Sequence, residues 1–371
     1  MRQLTIASAF CTCFLLSNSS ALAAPSDGAS EKVFLGYVAG MPSDINYNMY
    51  THLCHAFVVA EKDGTLLPRE NVPNHELTSE AHKAGVKVLI SLGGWGWDDN
   101  FGEMSLDPPA EDRYVNAVMA LVDEYDYDGI DLDWEYPDTN IEIVGFERLS
   151  RRFRKRLDEL GEKKNRSMLL TMAAAAHPQT LEWLSNEFLL ETMDWVNIMT
   201  YDYVGSWADF AGHHSPLFAS GMLPKDNVLS TELTIKYLLE ERKFPANRLA
   251  LGIPLYGRVF AVGKPYASTV DAPKPDKESA NYKEIYQLQE QQNWTRWWDD
   301  ETKNPWLIAP DKSEIICYDD SESIEIKTEW AKKQGLRGIF FWQIDADRMP
   351  DGSNPLQETA HEKLNQIASP E

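Results

Sequence analysis

The run Tyr127–Asp128–Gly129–Ile130–Asp131–Leu132–Asp133–Trp134–Glu135–Tyr136–Pro137 alternates acidic and apolar side chains. Successive side chains of a strand point to opposite faces. Read as a strand, Gly129–Glu135 sets Asp131, Asp133 and Glu135 on one face and Leu132 and Trp134 on the other. Seven more apolar, β-rich runs stand along the chain: Val33–Val38, Leu53–Val59, Val86–Leu92, Met168–Ala174, Trp195–Tyr201, Leu249–Leu255 and Gly338–Ile344. Near-continuous apolar strands are what a parallel sheet covered on both faces requires. Helical periods lie between them. Val115, Val118, Val122 and Tyr125 share one face, and so do Phe146, Leu149, Phe153, Leu157 and Leu160. Ser321 is read as opening a later helix that Gly335 closes. Eight βα units predict an α/β fold, a closed TIM (β/α)8 barrel, rather than an open doubly wound sheet. No GxGxxG follows the first strand, as a dinucleotide-binding sheet would need.

One stretch breaks the alternation. Residues 258–312 carry Pro265, Pro273 and Pro275, then Tyr282, Tyr286, Trp294, Trp297, Trp298 and Trp306. That is too long for a bare loop. It predicts a small α+β insertion between strands seven and eight, with the barrel formed by 24–257 and 313–371.

Residues 1–23 read as a secretory leader: Arg2, an apolar Leu4–Leu16, and the small-x-small run Ala21–Leu22–Ala23. The expectation is export, extracellular or periplasmic, after cleavage near Ala23. With 35 Lys+Arg against 58 Asp+Glu, the 371 residues carry a formal charge of −23. Such a surface repels nucleic acid. No other apolar run is long enough for a membrane span. The basic run Arg151–Arg152–Phe153–Arg154–Lys155–Arg156 is read as a solvated helix face. Cleavage leaves Cys54 and Cys317, both in strand-like runs and read as free buried thiols. No HExxH or CxxC spacing supports a metal, and no cofactor is expected. The expected state is a monomer.

In a barrel, the acidic row points into the interior and climbs toward the C-terminal rim, where such folds carry their sites. Three partly desolvated acids cannot all ionise freely, so at least one pKa rises. A carboxyl kept protonated near neutral pH is a general acid. Asp131, Asp133, Glu135 and Glu142 also match calcium-loop positions 1, 3, 5 and 12, but Tyr136 stands where that loop needs glycine. Asp128 begins the run off the acidic face and is read as tying the strand start to its neighbour. His213 and His214 are read as loop residues.

With these residues in view, the chain resembles glycoside hydrolase family 18, the chitinases. Asp128-x-x-Asp131-x-Asp133-x-Glu135, followed by Tyr136–Pro137, is similar to that family's catalytic signature. Ser91–Leu92–Gly93–Gly94 resembles its strand-three motif, and Met199–Thr200–Tyr201–Asp202 its strand-six motif. Gly36–Tyr37, Gly205–Ser206–Trp207, Ser215–Pro216–Leu217 and Phe341–Trp342 also match in the family's order, and Tyr256–Gly257–Arg258 and Tyr318–Asp319–Asp320 resemble the borders of its insertion. Tyr127 departs from it, standing where phenylalanine is common.

The family is a substrate-assisted exception to the usual two-carboxylate scheme. The resemblance implies that Glu135 protonates the glycosidic oxygen while the sugar's acetamido carbonyl attacks the anomeric carbon. It implies that Asp133 holds the acetamido N–H, that Asp131 shares a proton with Asp133, and that Tyr37 and Ser91 hydrogen-bond Asp131. Tyr201 would hold the acetamido oxygen, and Asp202 the sugar or acetamido. Trp342 would floor the cleaved sugar, with Trp95, Trp97, Trp207 and Tyr256 as further aromatic surfaces. Arg258 would bind substrate or anchor the insertion. The expected partner is chitin or N-acetylglucosamine oligomers. Two other functions fit the same barrel: an endo-β-N-acetylglucosaminidase acting on N-glycans or peptidoglycan, and a chitin-binding lectin lacking turnover.

Overall fold

The computed structural model describes residues 32–41, 44–67, 69–223 and 229–366. The leader predicted at 1–23, with Cys11 and Cys13, lies outside them. The strands in chain order are β1 (Val33–Ala39), β2 (His52–Ala60), a short β3 (Leu66–Leu67), β4 (Lys87–Gly93), β5 (Gly129–Asp133), β6 (Leu169–Ala175), β7 (Trp195–Met199) and β8 (Leu249–Pro254). There follow β9 (Tyr256–Phe260), β10 (Ser279–Asn281), β11 (Thr295–Asp299), β12 (Asn304–Ile308), β13 (Ile315–Cys317) and β14 (Gly338–Trp342). Strands β1, β2, β4, β5, β6, β7, β8 and β14 pair in parallel, and β1 closes the ring by pairing both β14 and β2. This is the TIM barrel expected from the eight runs.

The helices are α1 (His75–Lys83), α2 (Asp98–Leu106), α3 (Pro108–Glu124), α4 (Asn140–Lys164), α5 (Pro178–Leu181), α6 (Asn186–Thr192), α7 (Thr231–Lys236), α8 (Tyr282–Gln291), α9 (Ser321–Lys333) and α10 (Pro355–Asn365). Both strand faces are dry, which is why the runs read as unbroken apolar sequence. On β4, Leu89 packs with Val33, Leu35, Trp195 and Phe340 inside the ring, while Val88 and Ile90 join the core under the helices. The predicted stripe of α4 faces that outer core, with Leu149, Phe153 and Leu157 fully buried. A capping box between Thr139 and Glu142 starts the helix, an arrangement worth about 1 kcal/mol. Glu142, matched to the last calcium-loop position, is thus occupied as a helix cap.

Between β8 and β14 the chain builds a second, antiparallel sheet in the order β10-β9-β13-β12-β11, packed against α8. Its strands run from Tyr256 to Cys317, outside the bounds 258–312 read from the prolines and aromatics. Proline content marks the irregular middle of such a segment, whereas its first and last strands look like any other apolar run.

Two local readings need correction. The basic run of α4 is not merely solvated: Arg151 pairs with Glu191, Arg152 with Glu111 and Asp112, and Arg154 with Asp194. These acids belong to neighbouring helices or loops, so the run ties the outer layer together. The N-cap of α9 is Asp320, whose side chain accepts from the Ser323 backbone N–H. Ser321 is the first helical residue. Cys54 and Cys317 are free and buried in separate cores, inside the barrel and under the insertion sheet.

Candidate active site

Strand β5 ends at Asp133, so Glu135, predicted as the strand's last residue, lies two residues past it at the barrel mouth. Register explains the first rung. Asp131 on β5 pairs with Ser91 on β4 and with Thr171 on β6. Ser91 Oγ and Tyr37 Oη each donate to Asp131 Oδ2 at 2.8 Å. Thr171 Oγ1 donates to Oδ1 at 2.6 Å, and Asn197 Nδ2 to the same oxygen at 3.2 Å. Burial raises the Asp131 pKa; these hydrogen bonds pull it back, and the net value stays above the ordinary one.

Asp133 is the second rung, 4% exposed. Burial first, then the charges of Glu135 and Asp131, hold its pKa well above the carboxylate range. Its Oδ1 is buried and has no hydrogen-bond partner. Glu135, half-buried, is pushed up to about 7 by burial, with a hydrogen bond from Tyr136 working downward and the charge of Asp202 upward. The row therefore offers a proton near neutral pH at its open end. Gly93, paired with Asp133, has φ of 111°, and a Cβ there would lie 2.3 Å from the Asp133 carbonyl oxygen. Glycine lets the backbones of β4 and β5 meet at this level. The opposite face of β5 is structural: Trp134 stacks on Phe101 of α2 at 5.2 Å.

A second set of side chains follows β7. Tyr201 packs edge-on against Tyr256 and Phe340. Asp202 accepts from Arg258 Nε at 2.8 Å and Nη2 at 2.7 Å, and from Tyr256 Oη at 2.8 Å. Burial alone would raise its pKa, but hydrogen bonds from His214 and Arg258 and the charge of the Arg258 guanidinium hold it far below the ordinary value. Asp202 thus anchors Arg258 and the first strand of the insertion, while its side chain stays 33% exposed. Arg258 in turn lies 5.2 Å over the Trp207 ring and 5.4 Å over the Tyr256 ring.

Trp342 ends β14, stacked on Phe57 at 5.5 Å and set edge-on to Tyr37 at 5.7 Å. Trp95 and Trp207 are 77% and 60% exposed. Trp97 lies beneath Arg69. Asp128 accepts from the Val88 backbone N–H and contacts His82 and Arg166, tying the strand start to β4 and neighbouring chain.

Four contributors escaped the sequence reading: Thr171, Asn197, Phe57 and His214. Thr171 and Asn197 carried a usable signal, since each is a lone polar residue inside an otherwise apolar strand. His214, read as a loop residue, is buried, with Nδ1 3.4 Å from Asp202 and Nε2 3.1 Å from the Tyr256 carbonyl. Among the described residues, no group of His, Cys, Asp or Glu is placed to hold a metal ion, and no helix is long and apolar enough to cross a membrane.

Known proteins carry the same architecture. Chitinase 1 of Aphanocladium album is 27% identical over 355 residues, covering 87% of this chain and 81% of that one. Chitinase A1 of Niallia circulans is 29% identical over 295 residues, covering 73% of this chain and 42% of that longer protein. Among solved structures, a family 18 chitinase from Cycas revoluta in complex with (GlcNAc)4 superposes with a TM-score of 0.79 at 26% identity, covering 90% of this chain and all of that one. The signature of Glycosyl hydrolases family 18 matches residues 30–347, and with the acidic row at the barrel mouth this places the chain in that family.

Proposed function

We propose that the protein is an exported chitinase that cleaves β-1,4 bonds between N-acetylglucosamine units with retention of configuration. One observation carries the reading: a half-buried Glu135 with a pKa of about 7 stands above Asp133, whose buried Oδ1 lacks a partner. The first group suits proton donation, and the second suits reception of an N–H. The names of the relatives and the oligosaccharide in the Cycas revoluta complex support the substrate class.

In this reading the Glu135 proton goes to the glycosidic oxygen as the bond to the anomeric carbon breaks. The acetamido carbonyl oxygen of the same sugar attacks that carbon and forms an oxazolinium ring. Asp133 Oδ1 accepts the acetamido N–H, and Tyr201 holds the acetamido oxygen until it attacks. The positive ring is stabilised by the negative charge that the acidic row carries beneath it. Water then opens the ring, and Glu135 recovers a proton from it. Trp342, braced by Phe57 and Tyr37, offers a flat face to the sugar's C–H surface. The chemistry requires an N-acetyl group, so a cellulose-type sugar provides no internal nucleophile.

The test is the product profile from defined N-acetylglucosamine oligomers, beside the same oligomers with acetyl groups removed and a high-mannose glycoprotein. Cleavage only where the acetylated sugar is present supports the reading. Cleavage of deacetylated chains removes acetamido assistance, release of the N-glycan alone makes the protein an endo-β-N-acetylglucosaminidase, and binding without turnover makes it a lectin.

A further inference from the structure

The motifs Ser215–Pro216–Leu217 and Tyr318–Asp319–Asp320 have no part in the reaction scheme above, yet they meet at a buried lysine. Lys327 of α9 is 1% exposed and Asp319, just past β13, is 2% exposed. An ammonium has three donor positions, and here all three are engaged. They go to the Ser215 carbonyl, to Ser215 Oγ at 3.1 Å and to Asp319 Oδ2 at 2.7 Å. The other Asp319 oxygen accepts from Asn304 Nδ2 of β12 at 2.9 Å and from Ser323 Oγ of α9 at 2.7 Å. Asn304 Oδ1 in turn accepts the Leu217 backbone N–H at 3.3 Å. One buried ion pair therefore joins a barrel helix, the insertion sheet and the loop that follows β7.

The segment that Lys327 holds braces the end of β7. Ser215 Oγ donates to the Thr200 carbonyl at 2.7 Å, and the Tyr203 N–H donates to the His214 carbonyl at 3.0 Å. Residues 214–215 thus grip the chain on both sides of Tyr201 and Asp202. Thr200 Oγ1 is committed to the Gly252 carbonyl of β8 at 2.6 Å, so the chain enters the site from a fixed point. Asp202 leaves it with φ of 59°. That left-handed backbone is unfavourable for a residue with a Cβ and persists only where the surroundings over-determine it. A buried ion pair adds little stability over apolar packing, but an apolar side chain could not hold the Ser215 carbonyl. We propose that Lys327 is a positioning residue of the active site: through Ser215 it holds residues 214–215 against the end of β7 and so fixes Tyr201 and Asp202 at the barrel mouth. Through Asp319 and Asn304 the same ammonium ties that placement to the seat of the insertion sheet. The link to catalysis rests on the functional reading above, in which Tyr201 holds the acetamido oxygen until it attacks.

The test compares two variants. Lys327→Met alone leaves Asp319 as an uncompensated buried charge, which is strongly destabilising, so it is combined with Asp319→Asn. Ser215→Ala keeps the ion pair and removes only the hydroxyl that reaches Thr200. Misplacing Tyr201 should slow the acetamido attack, so kcat on an N-acetylglucosamine oligomer should fall by about 10- to 100-fold while KM hardly moves. An N-acetylglucosamine thiazoline, a stable mimic of the oxazolinium ring, should lose affinity by a similar factor. The intact oligomer, measured on a Glu135→Gln background, should keep its affinity. A merely structural role would weaken both ligands alike or neither. Wild-type kcat in the folded variants overturns the proposal, whereas a wild-type protein that cleaves no oligomer refutes the chitinase reading instead.

A second arm needs no substrate. Hydrogen exchange of the Tyr203 amide, which donates to the His214 carbonyl, should quicken by about tenfold in both variants, the equivalent of one hydrogen bond. The amides of Val196 and Ile198 in β7 should exchange as in wild type. Unchanged exchange at Tyr203 overturns the brace whatever the kinetics show, and Ser215→Ala decides the matter by both readouts if the double variant does not fold. Because no sugar is present, a failure here is distinct from a failure of the chitinase reading.

Discussion

Replacing Glu135 by Gln keeps the shape of the side chain and removes its proton, and the structure assigns two separable effects to that change. The first is on rate. General acid catalysis contributes roughly 10²–10⁴-fold, so kcat on a fluorogenic chitooligosaccharide should fall by at least two orders of magnitude. The second is on stability and depends on pH. The Glu135 pKa lies at about 7 in the folded protein against 4.5 for an unperturbed glutamate. Between those values the folded state holds a proton that the unfolded chain has released. Wild-type stability therefore falls as pH rises through this window, and the loss is complete above pH 7. The difference is worth up to about 3 kcal/mol. The amide of the Glu135→Gln variant titrates nowhere and escapes the loss.

With an unfolding entropy of about 2.1 cal/mol/K per residue over roughly 330 folded residues, 3 kcal/mol corresponds to a Tm difference of about 4 °C. Melts of both proteins at pH 4 and pH 8.5 should show Glu135→Gln gaining on wild type by that amount only at the higher pH. The catalytic residue would thus be one whose removal stabilises the fold at alkaline pH while abolishing turnover. Equal offsets at both pH values would refute the buried ionisation, and turnover within tenfold of wild type would refute the general acid.

Arg258→Met should destabilise the protein by about 2 kcal/mol at pH 7, because Asp202 would keep its charge and lose its two shortest hydrogen bonds to a cation. The Asp202 pKa is depressed on folding, so this contribution is present above the unfolded value and lost as pH falls through the folded one. Urea melts should therefore show a smaller penalty at pH 3 than at pH 7, and equal penalties would mean that Arg258 acts through packing instead. Trp342→Ala should cost about 2 kcal/mol of sugar contact, roughly 30-fold in kcat/KM; an unchanged value would remove the ring as the floor of the site. The first product formed should be the β-anomer, read by proton NMR at early times, and an α-anomer would exclude retention.

The barrel was legible because parallel strands dry on both faces cannot hide in sequence: Val33–Val38 is apolar throughout, and Val86–Leu92 is broken only by Lys87 and Ser91. The acidic row was legible for the converse reason, since Asp131 and Asp133 interrupt such a run at a spacing of two. What escaped was whatever depended on a partner distant in sequence. The partners of Asp202 stay hidden until Arg258 and Tyr256 are brought to it by the insertion. The basic run of α4 reads as a solvated face until Glu111 and Asp194 arrive from other elements. The bounds 258–312 fell short because Tyr256–Phe260 and Ile315–Cys317 have ordinary strand composition, whereas the motifs Tyr256–Gly257–Arg258 and Tyr318–Asp319–Asp320 stand at the two ends of the segment.

Depth along β5 assigns the chemistry of each acid, and this is why one residue type repeated at one spacing can serve three purposes. Asp131 is fully dry and ringed by donors, so it can hold charge but exchange nothing with solvent. Asp133 is nearly as deep but has an unpartnered oxygen, so its hydrogen-bonding capacity is still available. Glu135 has left the strand and is half-buried, deep enough for its pKa to rise to about 7 and open enough to exchange its proton with solvent. Moving the acid down one strand period would raise its pKa further and cut it off from water, so a glutamate at position 133 could not replace one at 135. The order of the row follows from the geometry of a barrel stave that runs from a packed interior to an open rim.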